Sequence, residues 1–173
     1  MEHLTSRLQS LPAHISLFLL RNSLAIPRLM YLLRASPSYK CPNILKNIDD
    51  LIRSALCDIT NISIDDVSWL QASLPIRSGG LGIRSSGGLA IPAYLASTHS
   101  VSDLVLSLLP EVFRISANND LQDALSIWKT STALDPPLQE KKHIQKSWDA
   151  PFIQQTIDLL FKKTSSLQDK ARL

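Results

Sequence analysis

Apolar residues recur at three- and four-residue steps along most of the chain, which is the pattern of helices that bury one face. The repeat is clearest over residues 43–60. Asn61 follows this segment and is predicted to cap it in the left-handed conformation, and Asp65 and Asp66 are predicted to cap a short helix that covers Trp69. The same periodicity predicts further helices over residues 4–11, 13–24, 26–35, 89–99, 103–109, 118–132 and 138–173, the last with a break near Pro151. These elements predict a mainly α fold, an irregular helical bundle.

Residues 74–84 interrupt the helical pattern, because they hold three of the five glycines and a proline. They are predicted to form a small Gly-rich hairpin or an extended segment. The candidate site residues in this segment are Arg77, Gly79, Gly80, Gly82 and Arg84. Two interpretations are open. In the first, the backbone N–H groups of the three glycines cradle a phosphate, with the two arginines on either side. In the second, the glycines form a tight turn in which any side chain would clash. The sequence of a P-loop does not follow, which favours the tight turn.

The composition of the 173-residue chain is that of an ordinary folded domain, with 45% hydrophobic and 19% charged residues. It excludes a wholly disordered chain, and the 2 Cys exclude a disulfide-stapled miniprotein.

Changes in the pattern of apolar residues, glycines and prolines divide the chain into three predicted parts. These are a helical bundle over residues 1–62, the glycine-rich turn segment with a helix over 63–100, and a C-terminal helical region over 101–173.

The cysteines and the apolar runs bear on where the protein works. Cys41 and Cys57 have no partner cysteine or nearby histidine, so we expect two reduced thiols rather than a zinc site. Reduced thiols indicate an intracellular protein of the cytoplasm or the nucleus. The apolar run over residues 15–20 ends at Arg21 and is too short for a membrane span, which needs about 20 apolar residues. We therefore expect no membrane association.

The adjacent carboxylates Asp49 and Asp50 suggest a polymerase site, because paired aspartates hold catalytic magnesium ions in polymerases. They are predicted to lie in the middle of a helix, where neighbouring side chains point about 100° apart, so we expect a solvated helix face instead. The four histidines are scattered, and no nucleophile-elbow motif is present. The sequence therefore predicts no catalytic residue, no metal site and no cofactor.

Positive charge is concentrated in the first 60 residues, which carry seven Lys and Arg against four Asp and Glu in a chain of net charge +3. A module that lies along a nucleic-acid backbone has this distribution, and an ordinary helical surface can have it by chance. Arg21, Arg28 and Arg34 follow one another at seven- and six-residue spacings, near two helical turns each. We expect the three to share one stripe if Pro27 bends the helix path only modestly.

Several runs of residues resemble the thumb and C-terminal region of reverse-transcriptase-like proteins of non-LTR retrotransposons. The most specific run is LQASLPIRSGGLGIR over residues 70–84, which with IPAYLAS over 91–97 is similar to the region that follows the palm. The other matching runs are LLRNS (19–23) and PRLMYLLR (27–34), which look like the thumb, and QKSWDAP (145–151) and ARL (171–173), which look like the C-terminal region.

The resemblance implies a function for these helices. Fingers and palm would precede residue 1, so we expect a fragment cut at both ends, without the metal-binding aspartates and polymerase activity of the parent RNA-directed DNA polymerases. The thumb would contact the backbone of an RNA–DNA or DNA template–primer duplex, with Arg21, Arg28 and Arg34 as the contacting residues. The alternative is a helical protein-interaction module without enzymatic or nucleic-acid-binding activity, whose apolar face packs on the missing palm region or on another protein.

Overall fold

The computed structural model describes residues 6–108 and 110–164, without the side chains of residues 106, 112 and 115–117. This part of the protein is mainly α and contains no strand, which confirms the predicted fold class. The α-helices are α1 (Ala13–Leu19), α2 (Ile26–Ala35), α3 (Pro42–Thr60), α4 (Asp66–Ser73), α5 (Ser86–Leu108), α6 (Glu111–Thr132) and α7 (Gln145–Lys163). Short 3-10 turns are Arg7–Ser10, Ser38–Lys40, Ile76–Ser78 and Gln139–Lys141. The predictions for residues 4, 5, 109 and 165–173 lie outside the described residues.

Helix α5 lies at the centre of the bundle and packs against α2, α3, α6 and α7. Its buried face combines small residues, which let neighbouring helices approach closely, with large apolar residues that fill the space between them. The small residues are Ala90, Ala93 and Ala96, and the large ones include Leu89 and Leu95. Because this part of α5 is covered on several sides, its sequence over residues 89–96 is apolar all round.

The predicted helix over residues 13–24 divides into two pieces. α1 is followed by a π turn, Leu20–Leu24, which the Ala25 N–H closes by donating to the carbonyl of Leu20 (2.9 Å). Ala25 itself leaves helical geometry, with φ −78° and ψ −117°, and α2 then begins with Pro27 in its first turn. The helix axis is therefore interrupted between α1 and α2.

Two predicted helix ends are wrong. Residues 89–99 and 103–108, which are predicted to lie in separate helices, belong to the single helix α5, and α7 continues through Pro151. Each of these helices accommodates an internal proline, Pro92 or Pro151, at the cost of one backbone hydrogen bond. Pro92 is fully buried, so tertiary packing holds α5 together where the local sequence favours an interruption.

The hydrophobic core does not follow the three predicted parts of the chain. The main cluster of buried side chains extends from Leu8 to Trp148 and takes residues from all three parts. Helix α5 also crosses the predicted boundary between residues 100 and 101. A second small cluster of Leu74, Ile153 and Leu160 joins the end of α4 to α7. The described elements are thus tied together by contacts across the predicted boundaries.

Buried aromatic rings join α5, α6 and α7. Trp128 and Trp148 meet edge to face, with ring centroids 5.2 Å apart and planes at 81°. Each indole N–H is satisfied, since Trp128 Nε1 donates to the carbonyl of Trp148 (3.0 Å) and Trp148 Nε1 donates to that of Lys142 (2.8 Å). His99 stacks on Trp148, with centroids 5.5 Å apart. Burial, and to a lesser degree the charge of Lys142, lower the pKa of His99 below its ordinary value of 6.5.

We expect the protein to lose stability as pH falls below about 6.5, the ordinary imidazole pKa, because the unfolded chain then binds a proton that folded His99 resists. Replacing His99 with Phe keeps an aromatic ring against Trp148 and removes this titration. Urea denaturation midpoints at several pH values should therefore fall less steeply in the His99→Phe protein than in the wild type.

The exposed residue His143 provides the matched control, because His143→Phe removes an imidazole outside the core. Its midpoints should follow those of the wild type. If the His99→Phe protein also loses stability in parallel with the wild type, His99 is not the group that links folding to pH in this range.

Candidate nucleic-acid interface

Two of the predicted contact residues, Arg28 and Arg34, lie on α2 and are exposed. A separation of six positions along the helix corresponds to a net rotation of about 240°, which places the two side chains about 120° apart around the axis. Arg34 Nη2 donates to Gln145 Oε1 of α7 (3.0 Å), whereas Arg28 lies on the outer face of α2. The expected single stripe is therefore wrong.

Arg21 lies in the π turn before α2 and is half-buried. Its aliphatic stem packs over Gly82, where a Cβ would be 3.2 Å from Arg21 Cδ and 3.3 Å from Ile76 Cγ1. Gly82 also has φ +73°, a conformation that favours glycine. The structure thus brings Arg21 to the glycine-rich segment, which sequence spacing alone does not predict.

The glycine-rich segment is a tight turn, and the described residues form no hairpin there. A 3-10 turn is followed by irregular backbone that returns to the end of α4. The glycine N–H groups already donate to carbonyl oxygens: Gly79 to Ile76 (3.1 Å), Gly80 to Pro75 (3.2 Å) and Gly82 to Leu74 (2.9 Å). Because these donors are occupied, the phosphate-cradle interpretation is wrong and the tight turn is the correct alternative.

The two arginines that flank the glycines have different environments. Arg84 forms a two-pronged ion pair with Asp149 of α7, with Nη1 donating to Oδ2 (2.9 Å) and Nη2 to Oδ1 (2.7 Å). The side chain of Asp149 is only 9% exposed and that of Arg84 is 23% exposed. Arg84 therefore neutralises a buried carboxylate and is unsuited to bind a ligand phosphate. Arg77, by contrast, is exposed.

Arg77 lies near the last turns of α7. It lines a cleft of about 310 Å³ together with Leu160 and Phe161, and the next residues along α7 are the exposed Lys162 and Lys163. No role for these lysines is predicted from the sequence, although two consecutive lysines at a helix end are a visible signal. Cations at that end also interact favourably with the helix dipole.

Among the described residues, some lysines and arginines form ion pairs with carboxylates and others do not. The ion pairs are Lys40 with Asp120 (2.6 Å) and Asp123 (2.9 Å), Arg53 with Asp66 (2.8 Å), and Arg84 with Asp149 (2.7 Å). The hydrogen bonds from Lys40 to its two carboxylates raise the pKa of that lysine. In the same part of the chain, Arg21, Arg28 and Arg77 have no hydrogen-bond or ion-pair partner.

The carboxylates of Asp49 and Asp50 have separate environments. Asp49 Oδ1 accepts the Ser86 N–H (2.6 Å), and its Oδ2 accepts the Ser85 hydroxyl (2.6 Å) and the Gly87 N–H (3.2 Å). It therefore caps the amino end of α5 from a neighbouring helix, where a negative charge also complements the helix dipole. Asp50 is exposed. The predicted solvated face is correct for Asp50 and wrong for Asp49.

Across residues 6–108 and 110–164, no three His, Cys, Asp or Glu side chains are gathered where they could hold a metal ion. None of the helices in these ranges has the length and apolarity that a membrane crossing requires.

The chain matches no protein family, no curated protein and no solved structure with which we compared it.

Proposed function

We propose that this chain is the thumb-like and C-terminal part of a reverse-transcriptase-like protein of non-LTR retrotransposon type. It contacts the phosphate backbone of a template–primer duplex and carries out no catalytic step itself. Two features support the proposal: the run of residues over 70–84 with its continuation over 91–97, and a mainly α fold that suits a module of packed helices.

The observation that carries the proposal is the set of arginines that no carboxylate neutralises. Within the described residues Arg21 and Arg28 have no partner, and Arg34 bonds only the neutral amide of Gln145. A guanidinium group keeps its charge at all relevant pH values and matches the geometry of phosphate oxygens. Contacts of this kind hold a duplex without reading its sequence.

The positions of the arginines favour a broad contact surface rather than a line along one helix. Arg28 projects from α2 one turn before Tyr31, whose exposed fraction is 83%. Arg21 and Arg77 form a second part of the surface, at the glycine-rich turn.

Replacing Arg21, Arg28 and Arg34 together with Gln should weaken duplex binding to a similar extent for unrelated sequences. Each lost phosphate contact should lower the slope of log K against log salt by about 0.9. The measurement is a fluorescence-anisotropy titration of a short RNA–DNA hybrid at several salt concentrations. A circular dichroism spectrum should confirm that the helices remain, since Arg28 and Arg34 are exposed and the half-buried Arg21 has no hydrogen-bond partner among the described residues to lose.

The matched control removes three other exposed cations, Lys129, Lys141 and Lys162, by the same change to Gln. It lowers the net charge equally while leaving the three arginines in place. If both triple variants lose affinity to the same degree, binding reflects the overall charge and the three arginines have no special role.

Exposed apolar side chains on the first two helices favour the second candidate function, a protein-interaction module. Phe18 of α1 is 58% exposed, and Tyr31 and Leu32 of α2 are 83% and 51% exposed. Such a surface would pack on a palm region or on another protein. The two functions differ in salt dependence, because apolar association persists at salt concentrations that abolish backbone contacts.

A further inference from the structure

A small cleft of about 240 Å³ lies where the end of α2 meets α5 and the start of α7. Its polar lining consists of Arg34 of α2, Ser97 and Ser100 of α5, and His143 and Gln145 at the start of α7. Ser97 and Ser100 are three residues apart, so their side chains lie on the same side of α5. The hydrogen bond from Arg34 to Gln145 (3.0 Å) joins two walls of the cleft. The fold thus brings together side chains that no sequence spacing connects.

The polar groups of this cleft include hydrogen-bond donors that the described residues leave unused. Neither serine hydroxyl nor the imidazole of His143 has a partner within residues 6–108 and 110–164. The guanidinium group of Arg34 has five N–H donors, and its bond to the neutral Gln145 amide leaves its charge uncompensated. No carboxylate lies among the described residues that line the cleft. The lining therefore favours an anion with several acceptor oxygens.

We propose that this cleft binds a single phosphate group. Its donors come from three elements, and a phosphate group offers acceptor oxygens in several directions, whereas both oxygens of a carboxylate lie in one plane. Arg34 supplies the opposite charge, and the two hydroxyls and the imidazole N–H supply further hydrogen bonds. The volume of about 240 Å³ is below the range of about 300–1,000 Å³ that pockets for whole small molecules have. The phosphate therefore enters the cleft, and the remainder of its molecule stays outside.

A phosphate group of this kind belongs either to the backbone of a duplex or to a free phosphate ester. Where the duplex is the source, the inference rests on the proposed function. It then extends the contact surface from Arg34 of α2 across α5 to the start of α7. A free phosphate ester requires no duplex contact, so the two sources can be separated by experiment.

Titration of the isotope-labelled whole chain with inorganic phosphate at constant ionic strength, followed by nuclear magnetic resonance, tests the cleft itself. The amide signals of Ser97, Ser100 and His143 should shift saturably. Ser100→Asp places a carboxylate beside Arg34 and should lower the phosphate affinity at least tenfold. Ser126→Asp makes the same charge change at an exposed serine of α6, outside the cleft, and should leave the affinity within about twofold. Shifts that do not saturate, or equal affinities of the two aspartate variants, would overturn the proposal.

Binding of a short RNA–DNA hybrid, followed by fluorescence anisotropy, identifies the source of the phosphate. If the duplex backbone occupies the cleft, replacing Ser97 and Ser100 together with Ala should weaken hybrid binding about fivefold. The same double change at Ser126 and Ser131, two exposed serines of α6, should not alter it. Equal hybrid binding by the two double variants, with saturable phosphate binding in the wild type, would assign the cleft to a free phosphate ester and leave the proposed function intact. Phosphate binding without hybrid binding would contradict the proposed function and support the cleft as a site for a free ester.

Discussion

Replacing Asp149 with Ala is expected to lower the free energy of unfolding by about 3 kcal/mol, near the lower end of the range for breaking a buried ion pair. The carboxylate is buried and bonded by both Nη atoms of Arg84, so its removal leaves a guanidinium that is only 23% exposed without a partner. For a chain of this size the corresponding fall in melting temperature is roughly 6–12 °C. Thermal unfolding followed by circular dichroism measures it.

A matched double variant separates two contributions to stability: the cost of leaving Arg84 without a partner, and the net contribution of the Arg84–Asp149 ion pair. Arg84→Met with Asp149→Leu replaces both charges with apolar side chains, and it should be considerably more stable than Asp149→Ala alone. Lys40→Gln breaks the two solvent-accessible ion pairs of that lysine with Asp120 and Asp123 and should cost under about 1 kcal/mol. If Asp149→Ala is no more destabilising than Lys40→Gln, the buried pair does not hold the turn to α7.

Replacing Gly80 with Ala should destabilise the protein by about 3 kcal/mol or more, beyond the usual range for overpacking. A Cβ at this position would be 2.1 Å from the carbonyl oxygen of Leu74 and 2.6 Å from that of Gln71. Both atoms belong to the backbone, so neither can move aside as a flexible side chain would. The turn would have to shift away from the end of α4. Urea denaturation of the Gly80→Ala protein measures the effect.

Gly88→Ala is the control for this substitution. The nearest atoms to a Cβ at Gly88 are the Oγ of Ser85 at 3.8 Å and its Cβ at 3.9 Å, which are ordinary contacts. Because Gly88 lies in the first turns of α5, alanine there should leave stability unchanged or raise it by up to about 1 kcal/mol. Similar losses from the two alanine substitutions would show that close packing at Gly80 is not the cause.

The helices that could be predicted are those whose local signals agree with their packing. The apolar repeat over residues 43–60 predicts α3, and the prediction is confirmed because the repeating positions, including Leu45, Ile52 and Leu56, are buried. Asn61 adopts the predicted left-handed conformation (φ 53°), and the Asp65 side chain accepts the Ser68 N–H (2.7 Å). Local chemistry determines each of these helix ends.

The interactions that could not be predicted join residues far apart in the chain. Arg84 meets Asp149 across 65 residues, and Asp49 meets Ser86 across 37. Neither pair has a local spacing that would reveal it, and the sequence therefore predicts Arg84 as a candidate phosphate ligand and Asp49 as a solvated residue. The stripe expected for the arginines fails for a different reason, since the six-residue spacing itself turns Arg34 about 120° away from Arg28 on α2. For Arg21, the π turn before α2 adds a backbone feature that side-chain periodicity does not show.

The proposed duplex contact is tested most directly by the salt dependence with which the wild-type chain binds a short RNA–DNA hybrid. Contacts from Arg21, Arg28 and Arg34 predict measurable binding at low salt, similar for unrelated sequences, with log K falling against log salt at a slope of about 3. An affinity that does not change with salt, or no measurable affinity at low salt, would contradict a backbone-binding role for this chain.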